Sequence, residues 1–293
     1  MFRFPRLALL PLVALVTVAC AAPPSAAPGA GDGLQVTVSV LPLRYLVERI
    51  GGGHVVANVM VGPGDEPHSY EPKPEQLRAL SRSVAYLTAG VEFEDVWMDR
   101  IADANRSMEI VDTTAGVDLL PLEGHGDHEG EMDPHVWVSP RRARILAENI
   151  RDALARLDPA HAEEYDANLA ALLADIDALA EEMDAALGGA RGRRFLVFHP
   201  AWGYLADDYG LVQVAVEVGG QEPSAAEMAA LLNTAREESI RVVFAQPNLS
   251  TRAAETIAAE IGGRVVLVDP LAEDWLANLR EVTASLAEAL AEE

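Results

Sequence analysis

Lysine and cysteine are almost missing from this chain: Lys73 is the only lysine and Cys20 the only cysteine in 293 residues. A single thiol excludes any intrachain disulfide. Basic residues are scarce as well, 22 Lys and Arg against 46 Asp and Glu, for a formal charge of −24. No basic stripe is available to neutralise phosphates, which argues against a nucleic-acid partner. The acidic balance keeps a protein soluble and mildly concentrates cations without specifying a metal. Aromatic residues make up only 5% of the chain, too few for a wide aromatic ligand cleft. Neither HExxH nor GxSxG occurs, so zincin-type and serine hydrolases lack their anchoring motifs.

The ends carry the targeting information. Arg3 and Arg6 precede an apolar run, Leu7 to Val18, broken only by Pro11 and Thr17. It is too short to span a bilayer comfortably and reads as a secretory leader over residues 1–19. Ala19-Cys20 then resembles a bacterial lipobox, in which the cysteine thiol is diacylated, although Thr17 stands where a leucine is usual. Residues 20–33 hold no aliphatic side chain larger than alanine and read as a lipid-anchored flexible tether. The bland alternative is an ordinary secreted protein with one leftover thiol.

From Leu34 onward, short β-branched runs alternate with helical patterns. Strands are expected within 34–40, 55–61, 84–90, 108–114, 193–200, 211–218, 241–247 and 264–270, which argues for α/β units with mainly parallel sheets. One segment stands apart. Between Pro159 and Leu187, apolar residues recur four and three apart: Tyr165, Leu169, Leu172, Ile176, Leu179, Met183 and Leu187. Asp158 is placed to cap this helix and Gly188-Gly189 to stop it. About 29 residues at 1.5 Å each give a rod of ~44 Å. The expected organisation is therefore an N-terminal α/β domain (34–157), a linking helix (158–189) and a C-terminal α/β domain (190–293).

Four residues sit in comparable places. His68 follows the second strand, His135 lies in DPHVWVSP, His199 ends RRFLVFHP, and Asp269 ends RVVLVDP; each has a neighbouring proline, which restricts the local backbone. In open α/β sheets, ligands bind beyond the carboxyl ends of parallel strands. Three neutral imidazoles and one carboxylate make an N₃O set that Zn²⁺ accepts. On residue types alone, metal binding competes evenly with satisfied or partly buried histidines.

GPGDEPHSYEPKPEQL, DPHVWVSP, VFHPAWGYLADDYGL, GQEPSAAEM and VVLVDPL, in that order, resemble the zinc/manganese class of substrate-binding lipoproteins that serve ABC importers. The resemblance implies two (β/α)₄-type domains on a backbone helix, with His68, His135, His199 and Asp269 holding a metal between them. Manganese-type members usually carry Glu at the third ligand position, so His199 favours Zn²⁺ over Mn²⁺, as imidazole softness also does. It further implies a monomer at the periplasm or cell surface that delivers the ion to an ABC permease. Capture is expected, with no turnover, and the long helix should restrict closure to small tilts.

Zinc-type members often carry a His- and acid-rich loop where GHGDHEGEMD stands. His125 and His128 are therefore candidates for auxiliary metal collection, against a flexible acidic loop with incidental histidines. Asp65, Glu71, Asp133 and Glu222 are candidates to orient ligating imidazoles. Trp137, Trp202 and Tyr204 read as packing beside the ligands, and His54 and His161 as solvated surface positions. A secreted zinc hydrolase, or a binder of a metal chelate on the same architecture, is the alternative function.

Overall fold

The computed structural model describes residues 33–67, 70–122, 132–217, 223–247 and 251–292. The leader, the tether with Cys20, and His68, His125, His128 and Glu222 lie outside these residues.

All eight expected strands form. β1 (Leu34–Val40), β2 (Val55–Val61), β3 (Ala85–Thr88) and β4 (Glu109–Asp112) make one sheet in the order β2-β1-β3-β4. β5 (Arg194–Val197), β6 (Val212–Ala215), β7 (Val242–Ala245) and β8 (Arg264–Leu267) repeat the pattern as β6-β5-β7-β8. Every pairing is parallel. β3 and β7 are buried along their whole length, as continuous apolar runs under helices should be, whereas edge strand β4 alternates between half-buried and exposed positions. The chain is thus α/β, with two four-stranded parallel-sheet lobes.

α4 (Pro140–Leu157) and the long α5 (Ala162–Leu187) connect the lobes, and α5 also packs against the final helix, α9 (Trp275–Glu292). The 26 residues of α5 span about 39 Å. The seven apolar positions at four-three spacing are all buried, so periodicity alone located this face. The cap is a correction. A 3-10 turn over Pro159–His161 precedes α5 and moves its start downstream, and Asp158 makes no side-chain cap. Its carboxylate accepts instead from His161 Nδ1 (2.6 Å) and Tyr165 Oη (2.8 Å). Burial alone would raise that carboxyl, but these two hydrogen bonds outweigh it and hold Asp158 below the ordinary range.

One continuous apolar core includes residues of both sheets and the buried stripe of α5; a second, smaller cluster underlies the other face of the C-terminal sheet. Directional bonds cross between the lobes. Trp137 Nε1 donates to the Pro270 carbonyl (2.7 Å) and Trp275 Nε1 to the Trp137 carbonyl (2.8 Å). Ser139 Oγ and Arg142 both donate to the buried Asp208 carboxylate on α6 (Gly203–Tyr209). Burial raises the Asp208 carboxyl despite these partners. Shared core and buried hydrogen bonds resist hinge opening, because separating the lobes would strand polar groups that water does not reach.

Candidate metal centre

Parallel register brings the carboxyl ends of the strands to one level. Val40 pairs with Val61, Val197 with Ala215 and Ala245 with Leu267. The segments that leave β2, β5, β6 and β8 therefore emerge on the same edge of their sheets. His199 lies two residues beyond β5, Glu217 two beyond β6, and Asp269 two beyond β8.

His135 comes from the loop ahead of α4. Ser139 caps that helix by accepting from Arg142 N, and a 3-10 turn over Val136–Val138 sets the approach. Asp133 Oδ1 accepts twice from His135, from its backbone N–H (2.9 Å) and from Nδ1 (2.7 Å). Both side chains are buried, 6% and 4% exposed. The Asp133 carbonyl accepts from Tyr204 Oη (2.7 Å) on the other lobe. Gly203 makes this fit possible, since a Cβ there would lie 2.8 Å from Asp133 Oδ2.

His199 has the same arrangement. Its Nδ1 donates to Glu217 Oε2 at 2.8 Å, again with little exposure of either side chain. A carboxylate on Nδ1 fixes the proton there, so Nε2 is the nitrogen of each ring with a lone pair a metal could use. The two rings meet edge to face with centroids 5.4 Å apart. Two oriented imidazoles from different lobes thus lie side by side.

Asp269 is held by its own turn. Leu271 N–H donates to Oδ1 (2.8 Å), and Asn278 Nδ2 donates to the Asp269 carbonyl (2.7 Å). Burial raises its carboxyl, with the Leu271 hydrogen bond opposing; a cation in place would favour the ionised form. Asp269 lines a cleft of about 230 Å³ together with Leu41, Gly62, Asp65, Leu271 and Glu273. Gly62 and Asp65 begin the segment that leads to His68. Among the described residues, no three His, Cys, Asp or Glu side chains lie close enough to hold a metal on their own.

Of the orienting candidates, Asp133 acts on His135. Asp65 pairs with Lys73 (3.0 Å) beside the cleft, and Glu71 is exposed. Glu217 is the residue that sequence reasoning missed. Its signal was present, a carboxylate at the end of the apolar run LVQVAVEV, where a charge is costly unless it has a task. Trp137, Trp202 and Tyr204 are buried packing as expected, and Trp137 and Tyr204 also bond across the lobes. His54 and His161 are partly exposed, at 32% and 39%, and they stack on each other, centroids 3.8 Å apart, a contact the sequence did not announce.

Residues 36–289 match the family described as zinc-uptake complex component A, periplasmic (ZnuA). The chain belongs to this family. The zinc-binding lipoprotein AdcA of Streptococcus pneumoniae is 31% identical over 279 residues, covering 90% of this chain and 54% of the relative. The chain therefore spans about half the length of that relative. A putative metal-binding protein of Chlamydia muridarum is 28% identical over 255 residues, 87% of this chain and 91% of the relative. Among solved structures, a crystal structure of ZnuA superposes with a TM-score of 0.84 at 44% identity, covering 88% of this chain and all of that one. A zinc-bound deletion mutant of ZnuA gives 0.83 at the same identity, covering 88% and 98%.

Proposed function

We propose that the chain captures Zn²⁺ outside the cytoplasm and hands it to an ABC permease, holding the ion with His68, His135, His199 and Asp269. The observation that carries this reading is the edge-to-face contact of His135 and His199 from different lobes, each with its Nδ1 on a carboxylate. Carboxylate–imidazole pairs of this kind orient metal ligands and raise their basicity. Membership of the zinc-uptake family and the zinc-binding names of the relatives support the cargo. Three imidazoles favour Zn²⁺ over Mn²⁺, and four protein ligands close a tetrahedral shell. A closed shell leaves no position for an attacking water, so the reading is capture without catalysis.

The same reading places the protein as a monomer at the periplasm or cell surface, tethered through acylated Cys20. It divides the folded chain at 34–157, 158–189 and 190–293, and it gives His125 and His128 an auxiliary role in collecting metal. Metal content of the purified chain tests the centre. About one tightly held zinc per chain, lost in His199→Ala and in Asp269→Ala, is expected. Zinc retained unchanged in either variant would refute the ligand set. Because Zn²⁺ outcompetes Mn²⁺ at most nitrogen sites, cargo is tested separately, by import of zinc against manganese in cells that depend on this protein.

A further inference from the structure

All four histidines among the described residues are paired with a carboxylate. Two of these pairs form the centre above. The other two are His161 Nδ1 with Asp158 (2.6 Å) and His54 Nε2 with Glu164 (2.9 Å). His54 ends the 3-10 turn after α1 (Leu41–Gly51), and His161 ends the 3-10 turn before α5. Their rings lie nearly parallel, 18° apart with centroids at 3.8 Å. Their side chains are 32% and 39% exposed, so an ion from solvent reaches them directly.

The hydrogen bonds decide which nitrogens are available. Asp158 fixes the proton of His161 on Nδ1 and leaves Nε2 as a lone pair. Glu164 fixes the proton of His54 on Nε2 and leaves Nδ1 as a lone pair. This is the outer-partner arrangement of metal-bound histidine, repeated on two adjacent rings and flanked by two carboxylates. The stack brings the two rings together, but lone pairs in nearly parallel ring planes do not converge. To share one ion the two half-exposed side chains must turn out of the stack until Nδ1 of His54 and Nε2 of His161 stand about 3.3 Å apart, as tetrahedral bonds of 2.0–2.1 Å require.

We propose that His54 Nδ1 and His161 Nε2 form a second, weaker site for a late divalent transition metal such as Zn²⁺ or Cu²⁺. Among the described residues no third donor already converges, so water completes the shell and the ion exchanges readily. The site joins the turn after α1 to the start of the long helix, and it does not depend on the assignment of the cleft.

Equilibrium dialysis against graded Zn²⁺, followed by electron paramagnetic resonance of added Cu²⁺, tests it on the full chain. Phenylalanine keeps the ring stack and removes the nitrogens, so His54→Phe and His161→Phe are the informative variants. Beyond any metal collected by His125 and His128, the expected result is two ions per chain, the weaker one weakened at least tenfold in either variant while the tight ion is unchanged. His199→Ala should lose the tight ion and keep the weak one, which separates this site from the cleft. A double His125→Ala, His128→Ala variant should keep both, and Cu²⁺ at the weak site should show nitrogen coupling that His161→Phe reduces. A wild-type chain that saturates with one ion overturns the proposal. So does a second ion that persists in both phenylalanine variants, or one that disappears with His125 and His128.

Discussion

Glu217 offers the sharpest test of how the centre is held. Its carboxylate accepts from Nδ1 of His199 at 2.8 Å, on the side away from the nitrogen proposed to hold the metal, and it follows His199 by eighteen residues. Glu217→Ala removes a charge-assisted hydrogen bond worth about 1.5–3 kcal/mol. Part of that bond exists with or without metal and cancels, so the difference that reaches affinity is smaller. What remains is the restoring force on the ring and the basicity of Nε2, for which loss of an outer partner costs ~10–100-fold in metal affinity. Glu217→Gln keeps an acceptor at the same place without its charge and should fall between, at roughly 5-fold. The assay is competition for Zn²⁺ with a chromophoric chelator at fixed pH, beside His199→Ala as the full-loss reference. If His199→Ala abolishes binding while Glu217→Ala stays within about twofold, outer-partner control is wrong for this site.

Gly203→Ala should also weaken zinc without touching a proposed ligand, because its methyl would press on Asp133 Oδ2 at 2.8 Å and disturb the two hydrogen bonds that Asp133 accepts from His135; affinity unchanged by titration would count against that coupling. Trp137→Phe leaves the buried Pro270 carbonyl without its donor and should lower unfolding free energy by about 1–3 kcal/mol, read by denaturant titration; a cost near zero would mean that water replaces the indole. Burial raises the Glu94 carboxyl, although Ser39, Ala89, Gly90 and Tyr86 all donate to it. The folded state therefore holds that proton more strongly than the unfolded chain. Its contribution is present below the ordinary carboxylate range and lost as pH rises through the raised value. The pH dependence of stability in metal-free Glu94→Gln should lack this loss, and curves of identical shape for variant and wild type would remove Glu94 as its source.

The fold was legible because its signals are local or periodic. Eight β-branched runs found their strands, and the four-three spacing of α5 marked its buried face. Three of the four proposed ligands were flagged by position at the end of a strand and by a neighbouring proline, and those cues survive in the geometry of His199 and Asp269. What the chain order hides is partnership between distant residues. Glu217 reaches His199 because β5 and β6 are paired in parallel register, and no spacing rule links positions eighteen apart. His54 and His161 are 107 residues apart and meet only because α5 begins beside the turn after α1. Asp158 looked like a helix cap because the short 3-10 turn that displaces the start of α5 has no strong sequence mark.

Rigidity and affinity have one physical origin here. The indoles of Trp137 and Trp275 exchange hydrogen bonds with the backbone across the lobes, and one of those bonds ends on Pro270, next to Asp269. The same frame that resists hinging of the lobes therefore also fixes Asp269, the proposed carboxylate ligand. Tyr204 repeats the device, with its hydroxyl on the Asp133 carbonyl while Asp133 steers His135. Ligands held before the metal arrives lose little freedom when it binds, which increases affinity without adding contacts. Release must then come from displacing a few pinned turns, since opening the whole cleft would break a continuous core. A partner that moved the Asp269–Leu271 turn would break the Leu271 bond and withdraw the carboxylate together. If a permease draws the ion from this cleft, as proposed, acting on that turn alone would be enough to weaken the site.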